Sequence, residues 1–219
     1  MIRASCLLAA GLLAAAEVPP NAVIIIADDL GYADVGFQGA KDIPTPHLDR
    51  LASQGVRLAH GYVPGGVCSP SRAGIMTGRH PQTFGHEYNP VEHAADVGLA
   101  LGEKTIADRL AAVGYDTALI GKWHLGFGKP FHPRTRGFGF FYGMHSGGHQ
   151  YFISKAKDPA WGYNGPLEDG DGNMVTPLSA RIYLTDLLAD QGDVADRLRP
   201  SCGRLRQHGR VRRAAAEGQ

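Results

Sequence analysis

Short apolar runs alternate with amphipathic segments along most of this chain. Residues 21–27 form a run rich in β-branched side chains, which predicts a strand buried on both faces, and the run ends abruptly at Asp28 and Asp29. Residues 56–62 and 117–120 are two further runs of this kind. We therefore expect three strands, the first of which carries two carboxylates at its C-terminal end.

Helix signals separate and follow these runs. Residues 46–54 begin with a proline behind an N-cap threonine, residues 69–77 end at Gly78, and residues 105–113 carry an apolar stripe at helical spacing. Residues 181–190 predict a fourth helix. Strands that alternate with helices favour an α/β fold with an open, mostly parallel sheet flanked by helices.

The polar residues that follow the strands are the first candidates for chemistry. In an open α/β sheet, ligands collect beyond the carboxyl ends of the strands. Lys122 and His124 directly follow the third run, as Asp28 and Asp29 follow the first. Residues 126–177, rich in Gly, Pro and aromatic side chains without a sustained period, predict loops over this edge.

Composition limits the function without naming it. A chain of 219 residues, with 43% hydrophobic and 20% charged residues, is long enough to bury a globular core. Its formal net charge of +1 gives no general electrostatic reason to expect a nucleic acid or an anionic membrane as the partner. A defined site must therefore carry the function.

The N-terminus has the pattern of a signal peptide. An uncharged run of Leu, Ala and Gly follows Arg3 and ends in small residues, so we assign residues 1–16 to a signal and expect secretion or export to the periplasm. The run is too short for a membrane span, and no later segment is longer. Export would remove Cys6 and leave Cys68 and Cys202, which argues against a disulfide framework.

Two features carry candidate chemistry, each with a plainer alternative. Cys68 falls at the start of a predicted helix, where the helix dipole and Arg72 would favour an anion, or the thiol is simply a small side chain in a turn. Asp28 and Asp29 offer the carboxylate oxygens that hard divalent cations prefer, or they cap a turn. Residue type alone leaves both alternatives open.

Four blocks of sequence narrow the choice. They are, in order, the strand running into Asp28, Asp29, Leu30 and Gly31; Thr45, Pro46, His47, Leu48 and Asp49; Cys68, Ser69, Pro70, Ser71 and Arg72, continued by Ile75, Met76, Thr77, Gly78 and Arg79; and Gly121, Lys122, Trp123, His124, Leu125 and Gly126. Together they resemble the type I sulfatases of the alkaline phosphatase superfamily. The resemblance covers residues 21–190, as the N-terminal part of a catalytic domain.

The resemblance implies a nucleophile and its partners. Cys68 would be oxidised to formylglycine, whose hydrate carries two hydroxyls, one to attack sulfur and one to expel sulfate by C–O cleavage. Arg72 would hold this hydrate and Lys122 would contact both the hydrate and the sulfate. His124 would orient or deprotonate the hydrate. The reaction implied is hydrolysis of a sulfuric ester.

The resemblance also implies a metal and a maturation partner. Asp28, Asp29 and the modified Cys68 would ligate Ca²⁺, or Mg²⁺ through the same hard oxygen ligands. A formylglycine-generating or sulfatase-maturating enzyme would have to act on Cys68. The family's later part supplies further metal ligands and we find no matching block in this sequence, so we expect weak or no calcium binding and little or no turnover by these 219 residues alone.

A sulfate ester, and in particular a sulfated sugar, is the substrate that the resemblance implies. Residues 84–90 are similar to a loop in bacterial sulfatases associated with sulfated carbohydrates. Four later side chains with polar edges are candidates for a sugar subsite: Tyr142, His145, His149 and Tyr151.

Residues 191–219 are an Arg-rich tail. We interpret it as disordered or as the non-native product of a frameshift in a GC-rich gene, and the alternative is a tail that binds polyanions.

The alternatives to a working sulfatase are a truncated, non-catalytic fragment or pseudoenzyme and a phosphonate or phosphodiester hydrolase on the same scaffold. A thiol hydrolase that pairs Cys68 with His124 is a further alternative.

Overall fold

The computed structural model describes residues 19–91, 94–149, 151–153, 167–173 and 182–197. The predicted signal peptide and residues 198–219 of the tail lie outside these ranges. The chain divides into two compact units, Met1–Leu58 and Ala59–Gln219, which we describe separately.

The first unit is organised around a 3-10 turn, Gly36–Gln38, and helix α1, Pro46–Gln54. As predicted, proline opens this helix, but the Thr45 side chain does not cap it. Thr45 Oγ1 instead accepts a hydrogen bond of 2.8 Å from the Gly36 amide, and Asp49 accepts one of 2.7 Å from Phe37. These two side chains hold the turn against the start of α1.

The second unit contains the remaining helices. Helix α2 spans Cys68–Thr77, close to the predicted 69–77, and α3 spans Ile106–Ala111, which is shorter than the predicted 105–113. A capping box between Thr105 and Asp108 begins α3, because each side chain accepts the other residue's backbone N–H. Three 3-10 turns connect the longer elements: Pro81–Phe84, Lys129–Phe131 and Pro133–Arg136.

Two small sheets complete the second unit. Strand β1, Ala118–Lys122, runs parallel to β2, Phe140–Met144, and β2 pairs antiparallel with β4, Leu167–Glu168. A separate antiparallel pair joins two further strands, β3, Phe152–Ile153, and β5, Ile182–Tyr183. Helix α4, Leu184–Arg197, packs against β1 and β2. The α/β class is thus confirmed, with a mixed sheet among the described residues.

Two glycines let β1 and β2 approach closely just before Lys122. Gly121 pairs with Gly143 and both have positive φ angles, 109° and 157°. A Cβ atom on Gly143 would lie 1.9 Å from the carbonyl oxygen of Gly121. Only glycine fits there.

The main apolar core joins α2 and α3 to the sheet and to the chain that follows β1. Its buried members are Ala73, Met76, Leu99, Ala107, Trp123, Leu125, Phe138 and Phe141. The indole Nε1–H of Trp123 donates a hydrogen bond of 2.9 Å to the carbonyl oxygen of Phe131. The chain is therefore anchored between Lys122 and His124.

Two predicted strands are wrong. Residues 21–27 and 56–62 are not assigned to strands, and no described strand pairs with them. Val23 and Ile25 are each 77% exposed. The reason is physical: apolar, β-branched composition favours an extended chain, but a strand exists only where a neighbour accepts and donates its backbone hydrogen bonds.

The later part of the chain also differs from expectation. Residues 126–177, predicted to be loops, contain β2, the short strands β3 and β4, and two of the 3-10 turns. Helix α4 begins three residues after the predicted start and continues to Arg197, so residues 191–197 are helical. No helix in the described ranges is long and apolar enough to cross a membrane.

Candidate active site around Cys68

Cys68 is the first residue of α2 and its thiol is half-buried and outside any disulfide. Val67, at the N-cap position, has an extended backbone and provides no side-chain cap. The amide N–H of Ser69 donates a hydrogen bond of 2.9 Å to Oδ1 of Asn89, which lies 20 residues further along the chain. The loop after the helix thus caps the helix that carries the cysteine.

Ser69 links this helix to His124. Its hydroxyl donates a hydrogen bond of 2.6 Å to the carbonyl oxygen of His124 and lies 2.7 Å from Nε2 of His86. Because a serine hydroxyl has one hydrogen, the contact with His86 requires His86 to donate from Nε2–H. Ser69 is fully buried, and burial lowers the pKa of His86, in keeping with this neutral, donating imidazole.

Arg72 makes a second link between α2 and the end of β1. One turn beyond Cys68, its guanidinium donates a hydrogen bond of 2.5 Å to the carbonyl oxygen of Lys122. The Arg72 side chain is buried, with 7% exposure. Two side chains of α2 therefore bind the carbonyl groups on either side of Trp123.

The backbone at His124 is strained. Among the described residues, the non-glycine positions with a positive φ are Asp29, at 56°, and His124, at 57°. A left-handed backbone conformation costs a residue with a Cβ about 1–2 kcal/mol and is concentrated at functional sites. Both positions are residues that the sequence analysis assigned to the site.

Hydrogen bonds on both sides hold His124 in this conformation. Its amide donates to the carbonyl oxygen of His145 at 3.1 Å, and the Trp123 amide donates to Met144 at 2.9 Å, which extends the β1–β2 ladder. The carbonyl of His124 binds Ser69. His124 is 3% exposed, so its position is set by the packing around it.

Four of the six predicted site residues belong to the second unit: Cys68, Arg72, Lys122 and His124. There, the helix that carries Cys68 and Arg72 is bonded to the backbone of Lys122 and His124. Asp28 and Asp29 belong to the first unit, where both are exposed. The predicted metal set of Asp28, Asp29 and Cys68 draws on both units, and its assignment remains a prediction.

His86 and Asn89 are site residues that sequence reasoning missed. Both lie in the loop at residues 84–90, which had been associated only with substrate. Their contacts with Ser69 span 17 and 20 residues. No periodic pattern in the sequence predicts a contact between residues this far apart in the chain. The presence of a histidine and an asparagine in one short loop was a signal that could have indicated these contacts.

A cavity of about 160 Å³ adjoins the N-terminus of α2. It is lined by Pro64, Gly65, Gly66, Val67, Pro70, Pro81, Gln82, Glu87 and Tyr88. Glu87 and Tyr88 come from the same loop as His86, and Tyr88 is 82% exposed. The loop therefore contributes one buried side chain that contacts α2 and two polar side chains that line the neighbouring cavity.

The sugar-subsite candidates have different surroundings. Tyr142 is 6% exposed, and burial with the charge of Asp169 raises the pKa of its phenol. His145 is hydrogen-bonded to Glu168, His149 is half-buried, and Tyr151 stacks on Tyr183 with ring centroids 5.6 Å apart. Tyr142 is too buried to offer a ligand surface.

Comparison with known proteins assigns this chain to a family. The sulfatase family model matches residues 20–192. Arylsulfatase A from Bos taurus is 48% identical over 139 residues, which cover 63% of this chain and 27% of that protein. This chain therefore spans about a quarter of the relative's length.

Comparison with solved structures agrees with the match to the sulfatase family model. The crystal structure of Ps i-CgsB aligns with a TM-score of 0.69 and 37% identity, covering 79% of this chain and 40% of that one. A protein solved with its substrate D-glucosamine-2-N,6-O-disulfate aligns with a TM-score of 0.55 and 25% identity, covering 75% of this chain and 28% of that one. The chain belongs to the sulfatase family.

Proposed function

We propose that this chain carries the nucleophile-bearing part of a sulfuric ester hydrolase, with a formylglycine made from Cys68 as its nucleophile. One observation supports this best: Ser69 and Arg72, on the helix that begins at Cys68, bind the carbonyls of His124 and Lys122. The helix that carries the cysteine is thereby bonded to the backbone of a lysine and a histidine at the end of a parallel strand, where α/β folds bind ligands.

Cys68 is suited to the modification. Its thiol is half-buried, outside any disulfide and at a helix N-terminus, where amide groups and the helix dipole favour negative charge. As a hydrated aldehyde, this residue supplies one hydroxyl to attack sulfur and a second to release sulfate by C–O cleavage. Arg72 adds positive charge one turn along the same helix.

Lys122 and His124 would carry the other functions at the sulfur centre. The ammonium of Lys122 offsets charge on the sulfuryl oxygens, a preorganised stabilisation of the kind that dominates such reactions. The imidazole of His124 orients the attacking hydroxyl or accepts its proton. Its strained and doubly anchored backbone limits the movement of this imidazole relative to α2.

Asp28 and Asp29 are the residues of this chain that would hold Ca²⁺, together with the modified Cys68. Both aspartates are exposed and offer hard carboxylate oxygens, a donor set that fits Ca²⁺ and also Mg²⁺. The ion supplies electrostatic activation of an oxygen nucleophile. Export and modification of Cys68 by a formylglycine-generating enzyme complete the proposal.

We propose a sulfated carbohydrate as the substrate class. The cavity beside α2 presents Glu87 and Tyr88, a carboxylate and an aromatic ring, which suit the hydroxyls and apolar faces of a sugar. A relative of known structure has a disulfated glucosamine as its substrate. This likeness supports the same chemical class here.

Hydrolysis of a chromogenic aryl sulfate tests the proposal. The chain is produced together with a formylglycine-generating enzyme, and sulfate release with Ca²⁺ is compared between the unchanged protein and Cys68→Ala. We expect turnover to be weak, because these residues supply only part of the family's metal ligands, and to be absent in Cys68→Ala. Hydrolysis that persists in Cys68→Ala would show that the nucleophile assignment is wrong.

A further inference from the structure

A buried carboxylate outside the proposed chemistry binds two histidines. Glu168, in β4, is 7% exposed and lies 2.9 Å from Nε2 of His132 and 3.1 Å from Nε2 of His145. His132 caps the 3-10 turn Pro133–Arg136, and His145 directly follows β2. This cluster, His132, His145 and Glu168, joins three separate segments.

The hydrogen bonds of His132 fix its tautomer. Its Nδ1 accepts the backbone N–H of Arg134 at 3.1 Å, so in the neutral ring the proton is on Nε2, which faces both carboxylate oxygens of Glu168. Nδ1 of His145 is buried and has no hydrogen-bond partner among the described residues. A proton on that atom would be an unpaired buried donor, so His145 also donates from Nε2–H.

The tautomers also decide between a hydrogen-bonded cluster and a metal site. One ligand atom from each of the three side chains lies within 4.8 Å of the others, a spacing that a metal could bridge. A metal on Nε2 of His132 needs the lone pair there, which moves the proton to Nδ1. Nδ1–H would then point at the N–H of Arg134, and the turn would lose its cap. The contacts therefore favour a carboxylate that accepts two neutral imidazole donors.

The cluster is connected to His124 through one residue. The carbonyl oxygen of His145 accepts the amide N–H of His124, and that of Met144 accepts the amide of Trp123. Phe141 and His145 are four residues apart and share one face of the extended chain. The rings of His132 and His145 meet the Phe141 ring edge-on at 5.6 and 5.2 Å. The side chain of His145 is thus held by Glu168 and Phe141, and its backbone carbonyl is hydrogen-bonded to the amide of His124.

We propose that Glu168 is a positioning residue, which fixes His145 and, through the carbonyl of His145, the left-handed backbone of His124. The inference rests on the proposed function only in the role it gives to His124. The positioning itself is a property of the fold, and it can be measured without catalysis.

The test compares the full chain with Glu168→Gln and with Glu103→Gln as the matched control. Glu103 is also a paired carboxylate, but its partner is Arg79 and not a member of the cluster. Amide hydrogen exchange is measured at His124 and Trp123 and at α3. We expect Glu168→Gln to speed exchange at His124 and Trp123 by about tenfold. The amide oxygen is a weaker acceptor than a carboxylate oxygen, and the amide NH2 group is a donor that would face an imidazole N–H donor. Exchange in α3 should stay unchanged in both variants.

Nitrogen NMR of the unchanged chain provides a second measurement that does not depend on the variant folding. It should find both His132 and His145 protonated on Nε2, also after addition of Zn²⁺. Unchanged exchange at His124 in Glu168→Gln, or equal acceleration at every amide, would overturn the positioning role. A neutral His132 with its proton on Nδ1 would contradict the hydrogen bonds from which the role is inferred. Loss of the Nε2 proton on adding Zn²⁺ would overturn the role in favour of a metal site. None of these outcomes depends on sulfate release.

Discussion

The hydroxyl of Ser69 donates a hydrogen bond of 2.6 Å to the carbonyl oxygen of His124, 55 residues further along the chain. With the bond from Arg72 to Lys122, it joins the helix that begins at Cys68 to the chain that follows β1. The helix that begins at the proposed nucleophile is therefore bonded to the backbone carbonyls of two of its proposed partners, Lys122 and His124.

Ser69→Ala should destabilise the second unit. The substitution leaves the carbonyl of His124 and Nε2–H of His86 without their buried partner, and we expect a loss of about 2 kcal/mol in the free energy of unfolding by urea. Ser53→Ala is the control, because that hydroxyl is exposed and bonds only within α1, to the carbonyl of Arg50. Equal effects of the two substitutions would contradict the link.

His86 should make stability depend on pH. Burial lowers the pKa of His86 in the folded chain, so as the pH falls the unfolded chain takes up a proton first. The contribution of His86 to stability is fully present above the ordinary histidine pKa of about 6.5. It is lost as the pH falls from there toward the lowered pKa of His86 in the folded chain.

His86→Gln keeps a side-chain N–H donor near Ser69 but cannot titrate, so it should reduce this slope. Part of the slope should remain, because burial also lowers the pKa of His145. His60→Gln, at an exposed position, is the control. Urea unfolding across this pH range measures the effect, and an unchanged slope in His86→Gln would refute it.

Gly143→Ala should prevent or severely weaken folding of the sheet. The added methyl would meet the carbonyl oxygen of Gly121 at 1.9 Å, in a backbone conformation with a φ of 157°. We expect a cost of at least about 3 kcal/mol, measured by thermal unfolding. At Gly102 nothing lies within 4 Å of an added Cβ, so Gly102→Ala should be nearly neutral. A well-folded Gly143→Ala would show that the strands can separate at this point.

Arg72→Lys tests whether geometry or charge matters at this position. Lysine keeps the positive charge but lacks the planar guanidinium that reaches the carbonyl of Lys122. We expect a loss of about 1.5–3 kcal/mol in unfolding free energy, the range for a buried charged hydrogen bond. Arg134→Lys, at an exposed position, should change little. If Arg72→Lys left the free energy of unfolding unchanged, the positive charge alone would account for the contribution of Arg72.

Local signals in the sequence predicted the elements that local interactions stabilise. The capping box of α3 and the glycine that ends α2 are local in sequence, and both helices were predicted, although α3 ends two residues earlier than its pattern indicated. Residues 21–27 were misassigned because strand formation depends on partners elsewhere in the chain. The roles of His86 and Glu168 were not predicted for the same reason: each depends on contacts between segments far apart in sequence.

The mass of the peptide that contains Cys68 tests the central claim most directly. The chain is produced with and without a formylglycine-generating enzyme, and Cys68→Ala is the blank. If Cys68 is the precursor of the nucleophile, the peptide from the first preparation loses one sulfur and two hydrogens, gains one oxygen and reacts with an aldehyde-specific hydrazide. A peptide that keeps its thiol in the presence of that enzyme would contradict the account.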